Sequence, residues 1–584
     1  MADATEKGDK QASQPVHHKK TEKNLSAAVR DGTRLAVDVY RPDAPGAFPA
    51  LLSITMYSKE VEDLQHLGPS IGRFNLEYSM VEGGDSDFWA SRGYAHVVAD
   101  VRGTGCSEGA YQGILSEQEA QDAYDLVEWI ARQDWCDGNV GMVGLSYLAI
   151  NQFFTAAQRP PHLKAIYPHD APADMYRDTF YHGGMPSMIP WFLQRAIAAR
   201  HTVSVTKETT SEDDLRKRVD ELLADEGTSF AKSPQVLATL RMPPETRPIV
   251  FDALLHPEDD EYWRKRSPSE VMADIDVPTH LGAEMHGQST PVYLGGVAWG
   301  WERIKAPKRL TFWPHTTGGN HRPFYQHHEE LLRWYDYWLK GIDNGIMDEP
   351  PVKVWVRGRE EYRYADDWPI HDNTDWTRFY LRAGGRLSSE APPDGGEAPA
   401  TLDYQPLLPA VAGVPLGPPP QHLEYQTDPF DTDVEVVGPL VLNVRALLSG
   451  DDGDFIVSVR DVAPDGSEFP LSRGWLRASH RAVDPERSFD WKPYHPHVEP
   501  IPVVPNEPVS LAIEIRPLAN LFGRGHRIKI EIWPCDYPSP PAGEYDFTQF
   551  WGFIHHVPYG KPVTYQIHHD PEEPSFLLAP LMRH

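Results

Sequence analysis

Cysteine is scarce. The chain has three in 584 residues, Cys106, Cys136 and Cys535. That is too few for a disulfide framework, and the spacing suits no zinc site. Such sparse thiols fit a reducing, cytoplasmic setting. Positive charge is also short: 55 Lys and Arg stand against 85 Asp and Glu, a net charge of −30. Nucleic-acid or anionic-membrane binding is therefore not expected as the main function. No apolar run approaches the roughly 18 residues of a membrane helix. The opening stretch is polar and lacks the apolar core of a signal peptide, so residues 1–24 read as a disordered tail.

Motifs for metals and phosphates are missing as well. There is no His-Glu-x-x-His. Arg102-Gly-Thr-Gly105 has no following Gly-Lys-Ser/Thr, and reads instead as a loop near a site's oxyanion side. The doublets His17-His18, His327-His328, His555-His556 and His568-His569 point adjacent side chains to different faces, which makes a poor two-ligand clamp. His327 and His328 open a helix and read as solvated. Neither metal nor cofactor is expected, and no repeat of fixed period is present.

Proline is plentiful, 55 residues, nearly twice the usual share of about 5%. Most of the excess follows residue 350. Before that point strand and helix signals alternate. Apolar runs at 35–40, 48–56, 94–99, 139–145 and 163–168 are separated by helical periods at 117–133 and 147–158. This pattern predicts a mostly parallel sheet covered by helices on both faces. From 174 to about 273 strand signals vanish, which predicts a helical insertion. Strands and helices then resume, ending in an amphipathic helix over 328–340 stopped by Gly341. Beyond 350, short strand-like runs between Gly, Pro and Asp clusters predict a β-sandwich or jelly roll.

One motif carries chemistry. Gly144-Leu-Ser-Tyr147 sits where a strand gives way to a helix. A sharp turn there lifts a serine oxygen toward a cleft and aims the next N–H, that of Tyr147, at an oxyanion. The usual second glycine is replaced by Leu148.

The flanking segments resemble the CocE/NonD family of serine hydrolases, which contains cocaine esterase, glutaryl and α-amino-ester acylases and X-prolyl dipeptidyl peptidases. The resemblance rests on the segments 100–109, 128–138, 144–147, 174–184, 338–345, 461–466 and 474–480. It runs from about residue 25 to the end. It implies an α/β-hydrolase domain over 25–173 and 274–349, a helical cap over 174–273 and a jelly roll over 350–584. It also implies an acyl-enzyme on Ser146, with Tyr57 and Tyr147 as oxyanion donors.

Histidine and acid depart from the family pattern. Where members carry Gly-Pro-Trp-x-His, this chain reads Pro314-His-Thr-Thr-Gly-Gly-Asn-His321, so Thr317 takes the histidine's place. His321 and His315 flank it. His321 is favoured, because two glycines precede it and a divergent branch of the family is similar there. The family's aspartate position falls at Gly287. Asp170, after the strand that follows the nucleophile helix, is the favoured replacement, and Glu284 is the alternative. The expected substrate is a small-molecule ester, with an amide second. Rival possibilities are an acyltransferase of the same fold and a catalytically degenerate member that only binds. Sequence leaves the oligomeric state open. A homodimer is the assembly that hydrolases with an added sandwich often form.

Overall fold

The structure is a computed structural model that describes residues 12–62, 82–228, 230–286, 290–314, 327–406, 420–536 and 556–583. Its first half is built on a ten-stranded sheet. The strands are β1 (Lys19–Ala28), β2 (Arg34–Pro42), β3 (Phe48–Thr55), β4 (Ala95–Asp100), β5 (Cys136–Leu145) and β6 (Leu163–His169). After the small hairpin of β7 (Tyr181–His182) and β8 (Met185–Pro186) come β9 (Thr279–Glu284), β10 (Lys308–Trp313), β11 (Val352–Val356) and β12 (Glu361–Ala365). Spatial order is β1-β2-β4-β3-β5-β6-β9-β10-β11-β12. The central strands, from β4 to β11, run parallel.

Alternating side chains divide the core between two faces. Leu51, Val143 and Leu145 pack with Leu331, Trp334 and Tyr335 of the helix His328–Lys340. Leu52 and Met142 join a core with Leu126 and Phe153, from the helices Glu117–Ala131 and Ser146–Ala157. This is the doubly covered sheet that the apolar runs predict. Helices that include Ile189–Ala196, Glu212–Ala224, Pro234–Arg241 and Pro248–Leu254 fill the stretch between β8 and β9.

The second half is an eleven-stranded antiparallel-rich sheet, ordered β15-β22-β17-β20-β19-β18-β21-β16-β14-β13-β23, and β17 also pairs with β23. Here β13 is Thr374–Arg382, β14 Arg386–Ser388, β15 Glu397–Tyr404, β16 Leu423–Gln426, β17 Val434–Leu448, β18 Asp454–Val462, β19 Glu468–Arg477, β20 Pro508–Phe522, β21 Arg527–Trp533, β22 Val563–His569 and β23 Phe576–Met582. That extra pairing folds the sheet back on itself around Leu442, Phe455, Ile513 and Ile530.

The sequence boundaries shift at two places. Residues 19–24 are not tail. They open β1, whose backbone pairs with β2 from Lys19↔Pro42 onward. The boundary at 349 falls two strands early, since Val352–Val356 pairs in parallel with β10 and carries β12 with it. His327 and His328 are also not solvated. His327 stacks on Trp313 at 4.0 Å and His328 on Phe88 at 4.0 Å. No helix among the described residues is long and apolar enough to cross a membrane.

The two halves meet through buried charge. Arg516 of β20 lies 2.8 Å from Asp178, whose carboxylate also accepts the N–H groups of Ala173 and Asp174. Arg177 bridges Asp174 and Asp259 and donates to the carbonyls of His495 and Pro496. His182 stacks on Trp475 and hydrogen-bonds His556, which is held by Asp536. Trp475 is thus an interdomain packing residue.

Candidate active site

Register brings the candidate residues to one edge. Leu145 pairs with His169, His169 with Gly282, and Glu284 with Trp313. Ser146, Asp170, Met285 and Pro314 therefore leave neighbouring parallel strands at their C-terminal ends, where clefts form in open α/β sheets.

Ser146 has φ +53, a left-handed conformation that a serine rarely adopts. It is the strained turn between β5 and the helix Ser146–Ala157, and such strain clusters at functional sites. Gly144 permits the turn: a Cβ there would lie 2.4 Å from the Cβ of Leu148. The leucine that replaces the motif's second glycine thus makes the first one indispensable. The N–H of Tyr147 lies in the helix's first turn, where no carbonyl within the helix can accept it.

Tyr147 is anchored from below. Its hydroxyl donates to Glu119, which also accepts the Ser116 N–H at 3.0 Å as part of a capping box on the helix Glu117–Ala131. Burial pushes the Glu119 carboxyl up to about 7, although both hydrogen bonds pull it down. Sequence reasoning missed this residue. Its signal was the Ser-x-x-Glu capping pattern, which looks purely structural.

Tyr57 lies just past β3, buried, with its ring 6.2 Å from that of Tyr147 in an edge-on arrangement. The next residues are fixed by Asp100. Its carboxylate accepts the N–H of Lys59 at 2.6 Å and of Cys106 at 2.7 Å, joining the loop after Tyr57 to the glycine loop after β4. Gly105 must be glycine, because a Cβ there would strike that carboxylate. Arg102 is tied to Asp122 and Asp31, which holds the glycine loop in place beside the segment that follows Tyr57.

The two candidate acids are neighbours. Asp170 has φ +50, donates its N–H to the Gly282 carbonyl at 2.9 Å, and accepts the Glu284 N–H on Oδ1 at 3.1 Å. Its Oδ2 is 3.6 Å from Nδ1 of His169, a buried histidine that the sequence did not single out. Glu284 is buried on the adjacent strand. His321 and His315 lie outside the described residues, as does Gly287. The chain departs from β10 at Trp313 and is described again at His327, whose ring is 4.7 Å from that of His169. His286, next to Gly287, faces the other domain, with its ring nitrogens on the carbonyls of Leu471 and Ala519.

One further contact at Ser146 was not foreseen. Ser146 Oγ lies 2.8 Å from the hydroxyl of Tyr293, on the helix Thr290–Arg303. Elsewhere, His422, Glu424 and Glu531 are close enough to share a cation. The Lys529 ammonium, 2.9 Å from Glu424 and 3.2 Å from Glu531, already supplies the positive charge there.

Comparison with known proteins agrees with this fold. The family model described as X-Pro dipeptidyl-peptidase (S15 family) matches residues 31–317, and its C-terminal non-catalytic domain matches residues 344–577. Cocaine esterase of Rhodococcus sp. (strain MB1 Bresler) is 28% identical over 606 residues, spanning 96% of this chain and 98% of its own. A CocE/NonD family hydrolase from Staphylococcus aureus superposes with TM-score 0.75 at 23% identity, covering 97% of this chain and 94% of its own. An α-amino acid ester hydrolase superposes with TM-score 0.72 at 19% identity, covering 100% and 99%.

Proposed function

The chain belongs to the X-Pro dipeptidyl-peptidase (S15) family, in its CocE/NonD-like branch of serine hydrolases, and from that premise we propose that it cleaves a small-molecule ester through an acyl-enzyme on Ser146. The observation that carries the assignment is the left-handed turn at Ser146, braced by Gly144 and placed at the C-terminal edge of the sheet. A serine hydroxyl needs a base, and a neutral imidazole needs an orienting carboxylate. We assign these roles to His321 and Asp170. In favour of Asp170 are its place on the strand next to the nucleophile strand and the Glu284 N–H that fixes its carboxylate. Tyr147 N–H and Tyr57 O–H hold the oxyanion.

In the reaction Ser146 attacks the ester carbonyl while His321 takes its proton. The oxyanion forms against Tyr147 and Tyr57. Collapse expels the alcohol, protonated by His321. Water then repeats the sequence on the acyl-enzyme. Unpaired Cys106, Cys136 and Cys535 favour the cytoplasm as the working compartment. Hydrolysis of p-nitrophenyl acetate tests the assignment. Ser146→Ala should lose turnover by several orders of magnitude at an unchanged melting temperature. Turnover near that of the wild type would overturn it.

A further inference from the structure

We propose that Tyr293 is a catalytic residue for the second half of the reaction: its phenol donates a hydrogen bond to Ser146 Oγ and assists departure of that oxygen when the acyl-enzyme is hydrolysed. The inference rests on Ser146 being the nucleophile. Its foundation is the 2.8 Å contact between the two hydroxyls.

The contact is built into the helix that carries it. Thr290–Arg303 contains Gly295, Gly296 and Gly300. A Cβ on Gly296 would lie 1.8 Å from the Ala171 carbonyl, one on Gly295 2.2 Å from Asp178, and one on Gly300 2.7 Å from Leu281. Each glycine costs a helix about 1 kcal/mol relative to alanine. Here the three let the helix backbone lie directly against β9, the loop after β6 and the helical turn Met175–Phe180 that carries Asp178. That close approach fixes where Tyr293 projects.

Direction follows from proton counting. A serine hydroxyl has one hydrogen, and attack requires that it pass to a base. A phenol oxygen is too weak a base to receive it. In the productive arrangement Tyr293 therefore donates and Ser146 keeps its hydrogen for His321. Before acylation the free serine oxygen already accepts this bond, so the donor lowers the starting state and the transition state of attack together and gives little net help. The ester Oγ of the acyl-enzyme, by contrast, is a poor acceptor and gains the bond only as it departs. During deacylation the same oxygen is the leaving group. Water adds to the acyl carbonyl and gives a proton to the base. The intermediate then collapses, the carbon–Oγ bond breaks, its electron pair goes to Oγ, and the base returns the proton there. Tyr293 keeps its own hydrogen throughout and stabilises the charge that develops on Oγ as the bond breaks.

Tyr293→Phe removes only the hydroxyl. A hydrogen bond to a charged group contributes enough to expect a fall in the deacylation rate of roughly 10- to 150-fold. With p-nitrophenyl acetate the variant should release a burst of nitrophenol close to one per active site and then turn over slowly. Intact-protein mass spectra should show one acetyl group retained. The rate of labelling by a fluorophosphonate, which reports only the attack step, should stay within about threefold of the wild type. Tyr293→Leu should show the same split between steps, so the result does not depend on the folding of one variant. Steady-state turnover within about threefold of the wild type would overturn the proposal. So would labelling and turnover falling together, because Tyr293 would then serve attack. If the underlying assignment is at fault the outcome differs: the wild type itself would carry no label on Ser146.

Discussion

Glu119 accepts the Tyr147 hydroxyl, and its buried carboxyl titrates near 7 instead of 4.5. Between those values the folded chain holds a proton that the unfolded chain has released. The stability contributed by Glu119 is therefore complete below pH 4.5, falls as pH rises through the window, and is gone above about 7. At about 1.36 kcal/mol per pH unit the gap corresponds to roughly 3 kcal/mol. Glu119→Gln removes the titration while keeping an oxygen to accept the phenol. The test is denaturant unfolding of both proteins at pH 4.5 and pH 8, followed by a signal from the hydrolase domain. Groups common to both proteins cancel in the difference. Relative to the wild type, the variant should be more stable at pH 8 than at pH 4.5 by roughly 3 kcal/mol. A difference flat to within about 0.5 kcal/mol would refute the raised carboxyl.

Asp170→Asn should lower kcat by about 10⁴ with little change in melting temperature, because the amide favours the wrong imidazole tautomer; an unchanged kcat moves the acid to Glu284. Tyr57→Phe should lower kcat by roughly 10²–10³ with KM little altered, the mark of a donor used in the transition state. A change confined to KM would make Tyr57 a substrate-binding residue. Arg516→Ala leaves buried Asp178 without its cation and should cost roughly 3–5 kcal/mol in unfolding experiments. Adding Asp178→Asn should recover much of that loss, and failure to do so would deny the ion pair its role between domains.

The parallel strands were legible because strands buried on both faces must be apolar throughout. The helix 328–340 was read to the residue, because Gly341 at φ +68 supplies a left-handed stop. Strand β1 was not legible: in KKTEKNLSAA only Ala27 is buried, as befits the outermost strand. The first strand after residue 350 was assigned to the jelly roll but joins the first sheet, since which sheet a strand joins depends on a neighbour far along the chain. His328 looked solvated for the same reason, as Phe88, on which it stacks, is remote in sequence. At the site, local turn geometry was visible in Gly144-Leu-Ser146. Tyr293 was not, because only the packing of three helical glycines brings it to the serine. Asp170 could be named from its place after β6, but its contact with Glu284 comes from register between β6 and β9.

The assignment of Ser146 stands or falls on one measurement: reaction of the folded protein with a fluorophosphonate, followed by peptide mapping. The expected result is a single adduct on Ser146, absent from a Ser146→Ala variant that melts at the wild-type temperature. An adduct on another residue, or labelling of the alanine variant at the wild-type rate, would contradict the account.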